Sequence, residues 1–270
     1  MNEPGTRQTG PLGSTIHVLH ADAETIVELA ALDWNRQFRR VCLDPVRGVI
    51  TLMSPSRLHE DLTLILDDIV DIAGSIITGG SKGLLATRLR GRDEPPGTGM
   101  EPDCAFYVGE RARGYLEALR EGVAEADAFL ECTAPDLVVE TEITNADAGK
   151  AERYAQMGVR ELWRLHGRKG SRELRAEFFE LRAGNAPRAL ESSQVLQGLT
   201  PHDVCEAVEE VRLSGTRDER TEAVTRIVRR RQRTSVRVRE EEAAYTSIPA
   251  SIPGGQERAM ELSGNDSGPV

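Results

Sequence analysis

Apolar residues recur every three or four positions along residues 58–76, where Leu58, Leu62, Ile65, Leu66, Ile69, Ile72 and Ile76 form one stripe. That spacing predicts a long helix with one face against a core. Ser56 is placed to cap its start, and Thr78-Gly79-Gly80 ends it. A shorter helix is predicted from Asp22, where DAETIVELAALDW has acids in its first turn and apolar residues at helical spacing. Short apolar runs bounded by Pro, Gly or polar clusters predict strands instead. These are GVITLMSP (48–55), LLATRLR (84–90), CAFYV (104–108), DLVVET (136–141), ELWRLH (161–166) and LRAEFFEL (174–181). GRDEPPGTGMEP, between the second and third runs, reads as a loop. Residues 109–130 look helical, with Tyr115, Leu116, Leu119 and Val123 on one side. A further helix is expected over 146–157, closed by Gly158. GLTPHDVCEAVEEVRL predicts the last helix of the domain, with Thr200 as N-cap and Pro201 in its first turn.

The core order is helix-strand-strand-strand-helix-strand. It implies an α/β (α+β) fold in which a mixed central sheet is flanked by helices. Residues 1–14, polar and rich in Gly and Pro, read as a flexible leader, and 15–213 as the folded domain. Residues 214–245 form a charged, Arg/Glu-rich segment of helical character, and 246–270 a tail of disordered composition.

Composition narrows the function. Aromatics are only 4% of 270 residues, so the core must be mostly aliphatic. No run of about 18 uncharged apolar residues occurs, which argues against a membrane span. MNEPGTRQTGPLGST lacks the apolar stretch of a signal peptide, so a cytoplasmic protein is expected. Cys42, Cys104, Cys132 and Cys205 have no metal-binding spacing and read as free thiols. A net charge of −10 argues against nucleic-acid binding through the whole surface, but leaves room for a local basic groove. The only lysines are Lys82, Lys150 and Lys169, so where Arg is the default cation each Lys marks a place for a compact, titratable ammonium.

The candidate chemistry lies in two Pro-Asp dipeptides. Pro102-Asp103 precedes CAFYV, and Pro135-Asp136 opens LVVET. If these strands are neighbours, Asp103 and Glu140 can converge on one hard cation such as Mg²⁺. By strand alternation Leu137, Val139 and Thr141 face one way and Val138, Glu140 and Glu142 the other, which offers a third acid. Lys150 follows on the next helix, one turn before Tyr154. On spacing alone, a solvated face carrying Glu140 and Glu142, with Lys150 on the surface, fits equally well. No HExxH, GxSxG or P-loop pattern is present.

MSPSRLHE (53–60), EPDCAFYV (101–108) and PDLVVETEITNADAGKAERYAQMGVRELW (135–163) together resemble the Uma-two family of restriction endonuclease-like proteins, within the PD-(D/E)XK nuclease superfamily. QGLTP (197–201) resembles that family's closing segment. The resemblance implies the restriction endonuclease-like fold, and an Mg²⁺- or Mn²⁺-dependent endonuclease acting on DNA. A homodimer would suit the fold. It also implies that Asp103 and Glu140 bind the metal, with a carbonyl from Thr141. Glu142 stands where the superfamily's lysine usually does and could recruit a second metal or act as base. Lys150 would take the lysine's role from the following helix. His59 and Glu60 would face the site, His59 as phosphate contact, ligand or base. The alternative is a degenerate nuclease fold that binds nucleic acid or protein without cleaving. Plainer roles are expected elsewhere: Tyr154 packs or braces Lys150, Trp163 is core, and Asp136 caps its strand start. The Arg segment over 226–239 could grip phosphate or form a solvated or partner-binding helix.

Overall fold

A computed structural model describes residues 6–9, 15–30, 40–54, 57–84, 89, 99–142, 148–167 and 174–246. The chain separates into two compact units, Met1–Arg233 and Thr234–Val270. The first unit holds two sheets.

The smaller sheet is antiparallel, with β1 (Thr6–Thr9), β2 (Thr15–His20), β3 (Arg40–Asp44) and β4 (Val49–Ser54) in the order β1-β2-β4-β3. Helix α1 (Ala23–Ala30) covers one face, burying Ile26 against Val41, Leu43, Ile50 and Leu52. The long apolar stripe then forms α2 (Arg57–Thr78), which ends at Gly79 with φ 78°. That left-handed turn, open to glycine at little cost, sends the chain straight into β5 (Ser81–Gly83).

β5 lies at one edge of a six-stranded sheet with β6 (Cys104–Val108), β7 (Leu137–Glu142), β8 (Glu161–Gly167), β9 (Leu174–Glu180) and β10 (Arg188–Leu190). Their order is β10-β9-β8-β7-β6-β5, and β7 with β8 is the one parallel pair among them. A parallel pair needs a crossover; here it contains α5 (Ala148–Gln156). The sheet is mixed, flanked by helices, and of restriction endonuclease-like type.

Strand alternation divides the core between the two faces. Cys104, Phe106, Leu137, Val139, Trp163, Leu165 and Phe178 form one cluster with α2 and with α6 (Pro201–Leu213). Ala105, Tyr107, Val138 and Leu162 form another with Ala151, Tyr154 and Ala155 of α5. Residues 99–101 join the two sheets. Leu43 and Gly99 exchange both backbone hydrogen bonds, as do Leu89 and Met100. The Val41 amide also donates to the Glu101 carboxylate at 3.4 Å.

Several sequence expectations change. The edge strand β5 covers Ser81–Gly83, before the run expected over 84–90, because the tight turn at Gly79 brings Ser81 opposite Val108 at once; Leu84 lies outside it and Leu89 forms an isolated bridge with Met100. Residues 85–88 and 90 lie outside the described residues, as does the Ser56 cap. The helix expected over 109–130 is two helices, α3 (Glu110–Glu121) and α4 (Val123–Cys132), broken at Gly122. Leu119 and Val123 are exposed and Leu116 nearly so, while Ala112 and Ala126 are buried and Tyr115, Phe129 and Leu130 pack on the core. The break turns α4 back on α3, so Phe129 lies over Gly114, where a Cβ would stand 3.1 Å from its ring. β1, β2, β3 and β10 were not expected; β1 corrects the reading of 1–14 as a flexible leader, since Thr6–Thr9 pairs antiparallel with β2.

Beyond α6, α7 (Arg217–Thr246) packs Ala223, Val224, Ile227 and Val228 inward. The last three join the cluster formed by α2 and α6. Arg226 pairs with Glu210, and Arg230 with Glu206 at 2.6 Å. Arg231 donates to the Gly198 carbonyl at 2.9 Å. These arginines of the basic segment therefore dock the helix. No described helix is long and apolar enough to cross a membrane.

Candidate active site

β6 and β7 run antiparallel with Cys104 opposite Val139. One step further, the same register sets Asp103 opposite Glu140. The Asp103 carboxylate is held against the strand end: the Thr141 amide donates to its Oδ2 at 2.5 Å, and His59 Nε2 lies 3.1 Å from the same oxygen. His59 reaches it from the first turn of α2, where Glu60 beside it is half-buried. On Glu140, Lys150 Nζ donates to Oε2 at 2.8 Å and the Tyr154 hydroxyl donates to Oε1. Lys150 and Tyr154 stand one turn apart on α5, so both reach the same carboxylate.

Burial raises the stakes of these contacts. Glu140 is 2% exposed, and Asp103 and His59 are 6% exposed. A carboxylate so placed must be hydrogen-bonded or paired. Tyr154 therefore braces Glu140, where the sequence reading had it packing or bracing Lys150. It is also fully buried in the α5 cluster.

β3 forms a further wall. Arg153 of α5 makes a buried ion pair with Asp44 at 2.6 Å, and Asp44 also accepts from the Arg47 amide at 3.0 Å. Cys42 of β3 packs against the α5 cluster and feels the charges of this pair and of Glu140 and Lys150. Burial pushes its thiol up to about 11, against the pull of the Arg153 and Lys150 cations. The Arg47 side chain rests on Gly149, and a Cβ at that position would run into its guanidinium. Asp44, Arg153 and Cys42 escaped sequence reasoning because only the docking of β3 on α5 brings them together.

Not every candidate is brought into this centre. Glu142 is the last residue of β7, opposite His166 in β8; its side chain, and the loop over 143–147, lie outside the described residues. Asp136 sits at the opposite end of β7. Its carboxylate accepts from the Val108 amide at 3.0 Å and pairs with Arg111 and Arg160, each at 3.2 Å. Trp163 is core, stacked on Phe178 with ring centroids 4.3 Å apart, and its Nε1 donates to Glu161. Arg164 was not singled out from sequence, yet register places it directly beside Glu140 on β8.

His202, Asp203 and Glu206 also gather within 4.8 Å of one another at the start of α6. Their charge is already balanced. Arg230 lies 2.6 Å from Glu206 and 3.5 Å from Asp203, and its hydrogen bond holds the Glu206 carboxyl below its ordinary range. Asp203 is also spent in a capping box with Thr200. This cluster fastens α7 to α6.

Asp103 and Glu140 supply buried carboxylate oxygens, the hard donors that Mg²⁺ and Mn²⁺ prefer, and each oxygen can accept more than one partner. By donor chemistry, these two carboxylates are the groups of this centre that suit a divalent cation. The family model described as "Putative restriction endonuclease", Uma2, matches residues 27–216.

The chain belongs to the Uma2 family. The match spans both sheets from α1 onward and includes every residue of the centre just described. A search of curated proteins found no match. α7 falls outside the matched region, although its first half packs into the same core.

Proposed function

We propose that this chain is a divalent-metal-dependent endonuclease that hydrolyses phosphodiester bonds in DNA, with Asp103, Glu140 and Lys150 at its centre. What supports the reading is the Lys150–Glu140 ion pair on the strand that register sets opposite Asp103, in a member of the Uma2 family.

In this reading Asp103 and Glu140 hold Mg²⁺ or Mn²⁺ with the Thr141 carbonyl. A bound cation would polarise the scissile phosphate and make a bound water more acidic. Lys150, whose side chain is 25% exposed, is anchored on Glu140 and open to a substrate. Its ammonium offsets the negative charge that grows on the phosphate as the bond breaks. Tyr154 fixes the Glu140 carboxylate, and His59 with the Thr141 amide fixes that of Asp103. Glu142 serves as an auxiliary acid. His59 is a positioning residue first, since its Nε2 is directed at Asp103.

Plasmid cleavage in Mg²⁺ or Mn²⁺ tests this, with Glu140→Gln and Lys150→Ala alongside the full chain. The expected result is metal-dependent cleavage by wild type that both variants lose. Equal cleavage by all three would overturn the assignment. Binding of DNA without cleavage by wild type would replace it with the degenerate alternative.

A further inference from the structure

The face of the six-stranded sheet that carries Glu140 changes character along β8 and β9. Where α5 covers it, the residues are apolar: Leu162 on β8 and its register partner Phe179 on β9. Two residues on, at the level of Glu140, the pair becomes Arg164 and Glu177, and two further it is His166 and Arg175. Strand alternation puts all four on the Glu140 side. At this level β8 is paired on both sides, to β7 and to β9, whereas β10 pairs with β9 only over Phe178–Glu180, so among the described residues Glu177 and Arg175 lie at the outer side of the sheet.

The side chains on it are organised. The Arg164 guanidinium stacks over Phe179, 5.4 Å from the ring centroid. Glu177 takes Arg175 at 2.6 Å and His166 at 3.2 Å, which steadies both on the surface. Arg175 remains 78% exposed. A planar guanidinium with several fixed donors suits phosphate oxygens better than a mobile ammonium does. The step from Arg164 to the His166–Arg175 row is about 6.7 Å, twice the rise of about 3.4 Å per nucleotide along the axis of duplex DNA.

We infer that this β8–β9 shelf, formed by Arg164, His166 and Arg175, seats the phosphate backbone of the DNA strand as it leaves the Glu140–Lys150 centre. The inference rests on the nuclease reading and adds to it a direction for the substrate, away from β6 and across β8 to β9. A backbone contact of this kind binds without regard to sequence and is paid in released counterions.

The test is anisotropy titration of a short fluorescein-labelled DNA duplex, in Ca²⁺ buffer over a series of salt concentrations. Full-length wild type is compared with Arg164→Gln, Arg164→Lys, Arg175→Gln and Arg188→Gln. Arg188 is an exposed arginine of β10 away from the shelf and serves as the charge-matched control. Arg164→Gln and Arg175→Gln are each expected to lower the slope of log Kd against log salt by about one and to weaken binding about three- to tenfold. Arg164→Lys should keep the slope, and Arg188→Gln should match wild type. The shelf is overturned if wild type binds and Arg175→Gln binds with the same Kd and slope. That result leaves the nuclease reading standing, whereas failure of wild type to bind DNA removes both. Should Arg164→Gln lose its fold by circular dichroism, Arg175→Gln at its exposed position decides.

Discussion

Pro102-Asp103 and Pro135-Asp136 are the same dipeptide at the starts of two neighbouring strands, and the dipeptide alone does not rank one above the other. β6 and β7 are antiparallel, so the two corners fall at opposite ends of the pair. At the Asp136 end the carboxylate meets one backbone amide and two arginines. Arginine does not give up its proton in proteins, so that charge is fixed. At the other end Asp103 and Glu140 meet a histidine, a lysine and a tyrosine as well as an amide. Those partners can exchange protons or shift to a substrate phosphate. The two corners bury acids equally well, but only one surrounds them with groups able to take part in chemistry.

The sharpest way to break this comparison is to exchange the fates of the two ends. Lys150→Ala is expected to lower metal-dependent DNA cleavage about 10²–10³-fold with the fold intact. Asp136→Asn should leave the cleavage rate per folded molecule close to wild type; a large loss in that variant would mean that the Asp136 end is not merely structural.

Stability should respond in the opposite sense. Asp44 is another buried acid, held like Asp136 by an arginine. Arg153→Met strands its charge and is expected to cost about 3–5 kcal/mol in urea unfolding. Asp136→Asn removes a charged acceptor whose arginine partners reach solvent, so a smaller loss of about 2 kcal/mol is expected.

A fifth acid sharpens the point by lacking what the others have. Asp67 on α2 packs against Gly83, and among the described residues its Oδ1 meets no hydrogen-bond donor. Burial, with the charges of Asp71 and Asp68, raises its carboxyl to about 6. The native state therefore holds this proton more tightly than the unfolded chain, where the carboxyl titrates near about 4. Ionised Asp67 opposes folding, and the penalty grows as pH rises from about 4 to about 6 and stays above it. Asp67→Asn should raise the melting temperature at pH 8, and the gain should disappear by pH 4. An equal gain at both pH values would show that the effect is not electrostatic.

Much of the fold is legible in the chain. The stripe from Leu62 to Ile76 is long enough that only a helix satisfies it, and α2 runs over Arg57–Thr78. CAFYV matches β6 residue for residue, and Thr200-Pro201 opens α6 with the expected cap. The readings that failed rested on weaker local signals. Leu116, Leu119 and Val123 share a helical face only if the helix continues through Gly122, and it does not. In the candidate site, the acids and the lysine stand out as unusual residues in apolar or arginine-rich surroundings. Tyr154 and Cys42 look like ordinary core, and Asp44, Arg153 and Arg164 like ordinary polar positions.

By itself the sequence determined the elements, the alternation that puts Glu140 on the face opposite Val139, and the residues able to bind a cation. Those follow from local periodicity and side-chain chemistry, which act within a few neighbours. The tertiary structure decided the rest: the register that sets Asp103 across from Glu140, the docking of β3 against α5, and the use of α7's arginines to pair with α6. It also decided which Pro-Asp corner meets titratable partners. Such contacts join positions from sixteen to more than a hundred residues apart, as Arg226 with Glu210 and Arg153 with Asp44 show. Strand direction and helix docking set them, and neither leaves a mark in the local sequence.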